Sequence, residues 1–319
     1  MTTEGKRIDM AQGMDMSGLP MAGMPGMTAP TVDADSIAAR VPQIARYVRY
    51  SGWPELKEAM VAGKVKAAMM LAPMVMDLAA KGVPVKVVAL GHRSGAVIMV
   101  RKESPYKSFA DLKGKRIAIP SRFAVDHIFV RKLMAAHGLK DGDLTMVELA
   151  PPDMPAALLA DAVDAYATGE PFGAKAEMDG YARVLYMTRD VWPTYICCVL
   201  AVRQELIDQQ PETVQRLVDH VLAAGRWLET SPEHRTTAAR IASDRSMFNQ
   251  AFELIKWVME RPPDRVTYGD LRLIRAEFDE LMRLSLDAKI IDRPIPYHTY
   301  VDESFMKHAH PVVISPPAQ

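Results

Sequence analysis

Residues 108–120 read SFADLKGKRIAIP. Residues 109–113 form one turn of helix, Gly114 stops it, and Arg116-Ile117-Ala118-Ile119 is a short strand carrying β-branched side chains. Pro120 and Ser121 end that strand, and the Ser121 hydroxyl is placed to cap a following helix. The predicted helix carries Val125, Phe129, Leu133 and Ala136 along one face until Gly138 stops it. A strand that delivers its carboxyl end to a capped helix start creates a pocket of backbone N–H groups, which suits an anion.

Moving upstream, residues 54–62 predict a helix with proline at its first position and Gly63 after its end. Residues 65–71 predict a buried strand that Ala72-Pro73 turns into a helix ending near Lys81-Gly82, with further strands at 85–90 and 96–101. Downstream, strands at 144–149, 164–167 and 183–187 alternate with helices opening at Asp153 and Glu170. This βα alternation predicts mostly parallel sheets covered on both faces. The run 195–203 leads the chain back to its first half, so crossings near 101–104 and 188–194 would make a two-segment hinge. Beyond it the chain is helical. Pro211 opens a helix with an apolar stripe of Val214, Leu217, Val218, Val221, Leu222 and Leu228. Thr267 with Asp270 reads as a capping box for a helix carrying Leu271, Ile274, Phe278 and Leu281.

The chain has 319 residues, enough for two lobes. Lys+Arg and Asp+Glu both number 39, so no net field favours nucleic acid or an anionic membrane surface. No apolar run is long enough to span a bilayer. Residues 1–30 set Met10, Met14, Met16, Met21, Met24 and Met27 among Gly, Pro, Ala and Ser. Such a composition builds no core and reads as a disordered tail, or as a thioether-rich Cu(I) binder. It has no continuous apolar region and does not read as a secretory signal. Cys197 and Cys198 are adjacent within a strand-like run. Neighbours on a strand point to opposite faces, so they read as two small buried hydrophobes rather than a disulfide, with redox or metal chemistry at the hinge as the sharper alternative.

The wording of residues 108–120, with the helix led by Ser121, resembles the second lobe of periplasmic solute-binding proteins of ABC importers. The branch is the one that takes nitrate, bicarbonate, sulfonate and taurine and shares a superfamily with the thiamine-pyrimidine synthases. Met70-Leu71-Ala72-Pro73-Met74, Pro151-Pro152-Asp153-Met154-Pro155-Ala156-Ala157-Leu158, Val163-Asp164-Ala165-Tyr166 and Gly169-Glu170-Pro171-Phe172 match in order and spacing. The resemblance covers residues 53–309 and implies a two-lobe α/β fold of the periplasmic-binding-protein type II class with a hinge and C-terminal helices. The opening strand and helix of the family, with a segment of the type P-L-x-x-A-x-x-x-G-x-F, find no match, so an incomplete first lobe is expected. The implied division is a tail at 1–30, lobe 1 at 31–102 plus 190–319, and lobe 2 at 103–189.

In two-lobe α/β proteins a ligand sits between the lobes, at strand carboxyl ends and helix starts. That places Ala72, Pro73 and Met74 of lobe 1 opposite Ser121, Arg122, Phe123, Asp153, Met154, Glu170 and Phe172 of lobe 2. Ser121 offers a hydroxyl to an oxyanion and Arg122 a charge-assisted contact. Each has a plainer role: Ser121 and Asp153 as caps, Arg122 as a solvated cation, Phe172 as core. In bicarbonate and nitrate binders a glutamate at the Glu170 position can meet the ligand or a calcium ion, but one carboxylate falls far short of a calcium site. His92, His127 and His137 have no motif partner, and there is no nucleophile elbow, carboxylate pair or phosphate loop. Neither catalytic residue, metal nor cofactor is expected. The resemblance implies a monomer that hands a small anion to permease and ATPase subunits in the periplasm, whereas the missing signal leaves a cytosolic anion-sensing regulator as an alternative. A pyrimidine-synthase-like enzyme is the other alternative, although the cysteine motif of those enzymes is not reproduced.

Overall fold

The computed structural model describes residues 48–50, 52–245 and 247–314. The Met-rich stretch lies outside them, and residues 48–50 form no element.

Helix α1 (Trp53–Val61) begins with Pro54 in its first turn. Strand β1 (Ala67–Leu71) passes directly into α2 (Ala72–Ala80), because Pro73 fits the first helical turn, where its missing N–H costs nothing. Then follow β2 (Val85–Ser94), β3 (Ala96–Arg101), a 3-10 turn (Phe109–Leu112) and β4 (Arg116–Ile119). Helix α3 (Val125–Ala136), β5 (Thr145–Glu148), α4 (Met154–Leu159), β6 (Ala165–Gly169), α5 (Phe172–Met178) and β7 (Ala182–Met187) complete the middle of the chain. Strand β8 (Ile196–Arg203) precedes α6 (Pro211–Thr230), α7 (Pro232–Ser243), α8 (Phe252–Glu260), the two-residue β9 (Val266–Thr267) and α9 (Arg275–Asp287). Among the described residues no helix is long and apolar enough to cross a membrane.

Two sheets organise these elements, in the orders β1-β8-β2-β9 and β5-β4-β6-β3-β7. The first sheet departs from the expected parallel arrangement. Strands β1 and β2 run the same way, as a βαβ pattern requires, but β8 returns between them and pairs antiparallel with both. Local periodicity cannot reveal a strand inserted from more than a hundred residues away. In the second sheet β4 is parallel to β5 and β6, while β3 is antiparallel to β6 and β7.

The first crossing between the sheets falls at residues 94–96 rather than at 101–104, since β3 pairs entirely within the second sheet. Ser94 and Gly95 both take positive φ there, and the chain changes sheets in that single step. Thr188, fully buried at the second crossing, accepts from the Ala96 N–H at 3.2 Å and donates to the Ala96 carbonyl at 3.1 Å. The two crossings are thereby bonded side by side.

Three further expectations are corrected. Helix α3 begins at Val125 with no side-chain cap, and Ser121 instead accepts from the Phe123 N–H at 3.2 Å in the turn ahead of it. Ala136, placed on the apolar face, is exposed. Thr267 pairs in β9 with Arg93 and α9 starts only at Arg275, so the capping box does not form; the Asp270 carboxylate binds Arg272. One hydrophobic cluster runs from Met70, Leu71 and Val87 of the first sheet through Tyr195 to Ile98 and Ile117 of the second and Phe129 of α3. Phe278, Leu281 and Met282 of α9 join it.

Candidate ligand site at the seam between the sheets

The β2–β8 ladder is irregular where it meets the second sheet. Leu90 faces Val199, His92 faces Cys198 and Arg93 faces Ile196, which leaves Gly91 and Cys197 without cross-strand partners. Two bulges therefore fall within three rungs, and bulges re-aim side chains. The rule that strand neighbours point apart fails here for that reason. The Cys197 and Cys198 sulfurs lie 3.9 Å apart, both thiols are free, and ligand atoms of His92, Cys197 and Cys198 all fall within 4.8 Å of one another. Gly91 suits the close approach at this point, since a Cβ there would stand 3.0 Å from Met69 Sδ and 3.3 Å from the Cys198 carbonyl oxygen, tighter than ordinary contact.

Helix α3 brings Asp126 to the same place from the other sheet. Asp126 is 3% exposed and one carboxylate oxygen has no partner; the buried Nδ1 of His92 and the Tyr195 hydroxyl are likewise unpartnered. Burial pushes the Asp126 carboxyl up to about 7; its own backbone N–H opposes the rise, the Cys198 charge adds to it and the His92 charge opposes it. Burial is the largest influence on His92 and lowers it, but the Cys198 sulfur together with the Arg93 and Ser94 backbone outweighs it and the net shift is upward. Of the two thiols, Cys198 loses its proton first, since its hydrogen bonds from Cys197 and then His92 favour the thiolate despite burial. Buried polar groups are almost always paired, so a cluster of unpaired ones at a seam marks a place prepared for something else.

The expected site residues divide into groups. Ala72, Met74 and Ala124 belong to the main core cluster, and Phe123 packs against it. Phe123 lies under the Lys57 and Lys81 ammonium groups, at 4.2 and 5.4 Å, and both lysines pair with the buried Asp77. Pro73 and Ser121 are buried, whereas the Arg122 side chain is exposed with Glu148 at 3.9 Å. Met154 is fully buried in a separate cluster with Val97, Ala118 and Tyr166, and Asp153 is exposed and makes no side-chain cap. Glu170 accepts from the Ala174 N–H at 2.8 Å and pairs with Arg265 at 3.2 Å. Phe172 is half-buried and its carbonyl accepts from the Tyr166 hydroxyl. Asp126 was not anticipated. A carboxylate in register with Phe129, Val130 and Leu133 on an apolar face was the signal for it.

A model of the NMT1-like family matches residues 36–243. The chain belongs to the NMT1-like family. The nitrate/nitrite binding protein NrtA of Nostoc sp. is 26% identical over 247 residues, which are 70% of this chain and 55% of that protein. The chain thus spans about half the length of this curated relative. Among solved structures, the ligand-binding component of an ABC-type import system from Staphylococcus aureus, solved with zinc bound, is 28% identical with a TM-score of 0.74. That match covers 83% of this chain and 88% of the other. The alkanesulfonate-binding protein SsuA from Xanthomonas axonopodis, bound to MOPS, gives a TM-score of 0.69 at 21% identity over 81% of this chain and 87% of its own, and shows the shared fold. The α/β fold with two sheets is that of the periplasmic binding proteins.

Proposed function

We propose that this NMT1-like chain is the solute-binding component of an ABC importer, a periplasmic monomer that closes two lobes on a small anion and delivers it to permease and ATPase subunits. In this reading lobe 1 comprises residues 31–94 plus 190–319 and lobe 2 residues 96–189, the expected boundary at 102 being moved to the 94–96 crossing because β3 pairs in the second sheet. The observation that carries it is the seam. Two chain segments join the sheets beside the unpartnered polar atoms of His92, Asp126 and Tyr195, and Phe123, in the turn before α3, lies under Lys57 and Lys81 of the first lobe. The nitrate/nitrite-binding relative supports a small oxyanion as the solute, and the Staphylococcus relative supports an import system as the context. Ligand contacts available only in the closed form would shift the population toward it. No bond is made or broken in this reading.

The test is thermal unfolding of the purified chain with nitrate, nitrite, bicarbonate, taurine and methanesulfonate, against chloride as control. An anion at a hundred times its dissociation constant adds about 2.7 kcal/mol of stability, which moves the midpoint visibly. A shift with one anion class supports the proposal. A cooperative melt that none of them moves contradicts it.

A further inference from the structure

We propose that Cys197, Cys198 and His92 form a binding site for one thiophilic d10 metal ion, Zn2+ or Cu+. The site stands on its own geometry and does not depend on the transport reading.

Two sulfurs bound to one ion at about 2.3 Å stand about 3.8 Å apart in a tetrahedral site and about 4.0 Å apart in a trigonal one. Cys197 Sγ and Cys198 Sγ are already 3.9 Å apart. An imidazole nitrogen on the same ion would lie about 3.5 Å from each sulfur, and all three ligand atoms here are within 4.8 Å of one another. An adjustment of about 1 Å therefore closes the set. Adjacent residues on a regular strand could not supply two ligands to one ion, and it is the bulge at Cys197 that allows it. The facing bulge at Gly91 lets the strands approach without a side chain between them. His92 contributes an imidazole whose buried Nδ1 has no other partner.

Thiolates and imidazole select thiophilic ions over hard ones such as Ca2+ or Mg2+. Binding deprotonates both thiols, so a divalent ion is neutralised by its ligands and the seam gains no net charge. Three protein ligands leave a fourth position open. Met69, whose sulfur lies over Gly91 beside Cys198, is a further soft donor that suits Cu+.

The test uses the full chain, without an affinity tag, reduced and metal-free under anaerobic conditions. Titration with Co2+ as a spectroscopic stand-in for Zn2+ is expected to give a thiolate-to-cobalt charge-transfer band. The band should saturate at one ion per chain and be displaced by Zn2+. Cu+ is titrated separately against a chromophoric chelator. In the C197S/C198S double variant both signals vanish, and His92→Gln weakens binding at least about tenfold. A second readout needs no variant: Zn2+ should slow alkylation of Cys198 in the natural sequence, followed by mass spectrometry, at least about tenfold. Absence of both the charge-transfer band and the protection would overturn the Zn2+ arm. Cu+ binding that persists undiminished in C197S/C198S would assign copper to the methionines of residues 1–30 and overturn the Cu+ arm.

Discussion

Arg265 and Glu170 have side chains that are each 2% exposed, and Arg265 also reaches Glu177 at 2.8 Å. Burial raises the Glu170 carboxyl while the Arg265 charge opposes that rise, so the pair stays balanced only as a pair. Arg265→Met is expected to cost about 3–5 kcal/mol in urea unfolding, because it strands a buried carboxylate. The E170Q/R265M double variant should lose less than the single one; a single variant within about 1 kcal/mol of the parent would contradict this reading. His127 is the second case. Burial pulls it below its ordinary value and the Arg131 charge acts the same way, against the Arg122 carbonyl and the Glu148 and Asp141 charges. A histidine that resists protonation when folded stabilises fully above about pH 6.5, and that contribution fades as pH falls toward the folded value. His127→Asn keeps a donor for the Arg122 carbonyl, which His127 Nδ1 meets at 2.9 Å, and removes the charge. Its stability should accordingly vary less between about pH 7 and 5 than that of the parent. Ser121, whose hydroxyl hydrogen is not used by the Phe123 N–H, belongs to the proposed anion site. Ser121→Ala should weaken anion binding about tenfold with little change in the melt of the unliganded chain. At this scale the sequence was least informative. Glu170 matched a ligand-contacting motif position yet closes an ion pair with a residue 95 positions on, and no local pattern marks such a partner.

Elements were far more legible, because their causes are local. Gly63, Gly82, Gly114 and Gly138 each take positive φ just past the turn or helix they were expected to stop. The apolar stripe of α6 buries Val214 and Val218 against Val88, Leu200 and Val202. What the pattern could not supply was pairing: that β8 divides β1 from β2, and that Gly95 ends one sheet and begins the other. Within α6, Gly225 tests packing against propensity. Alanine would favour the helix by about 1 kcal/mol. Its Cβ, however, would lie 2.4 Å from the Tyr268 carbonyl oxygen and 2.9 Å from Leu271 Cδ1. The clash involves backbone, so packing wins, and Gly225→Ala should destabilise by about 1–3 kcal/mol in urea unfolding. An unchanged or raised midpoint would mean that the segment carrying Tyr268 gives way.

For the whole molecule, the α/β class, the two-lobe plan and the family were readable from motifs whose order is fixed by the fold, whereas the first crossing lies several residues earlier than expected. The seam was half readable. The α2 start after β1 and the turn at Ser121–Phe123 after β4 were legible as local elements, but the cluster of His92, Asp126, Tyr195 and Cys198 came from three separated segments and two bulges. Its polar atoms are dispersed in sequence and converge only after β8 has returned. The central claim is that an anion is held between the sheets. Hydrogen–deuterium exchange of the full chain, with and without each anion of the panel, tests it most directly. Binding at the seam predicts slower exchange together in the peptides spanning 119–128, 71–75 and 195–199, which belong to both sheets. Slower exchange confined to one sheet, or none with any anion, would contradict it.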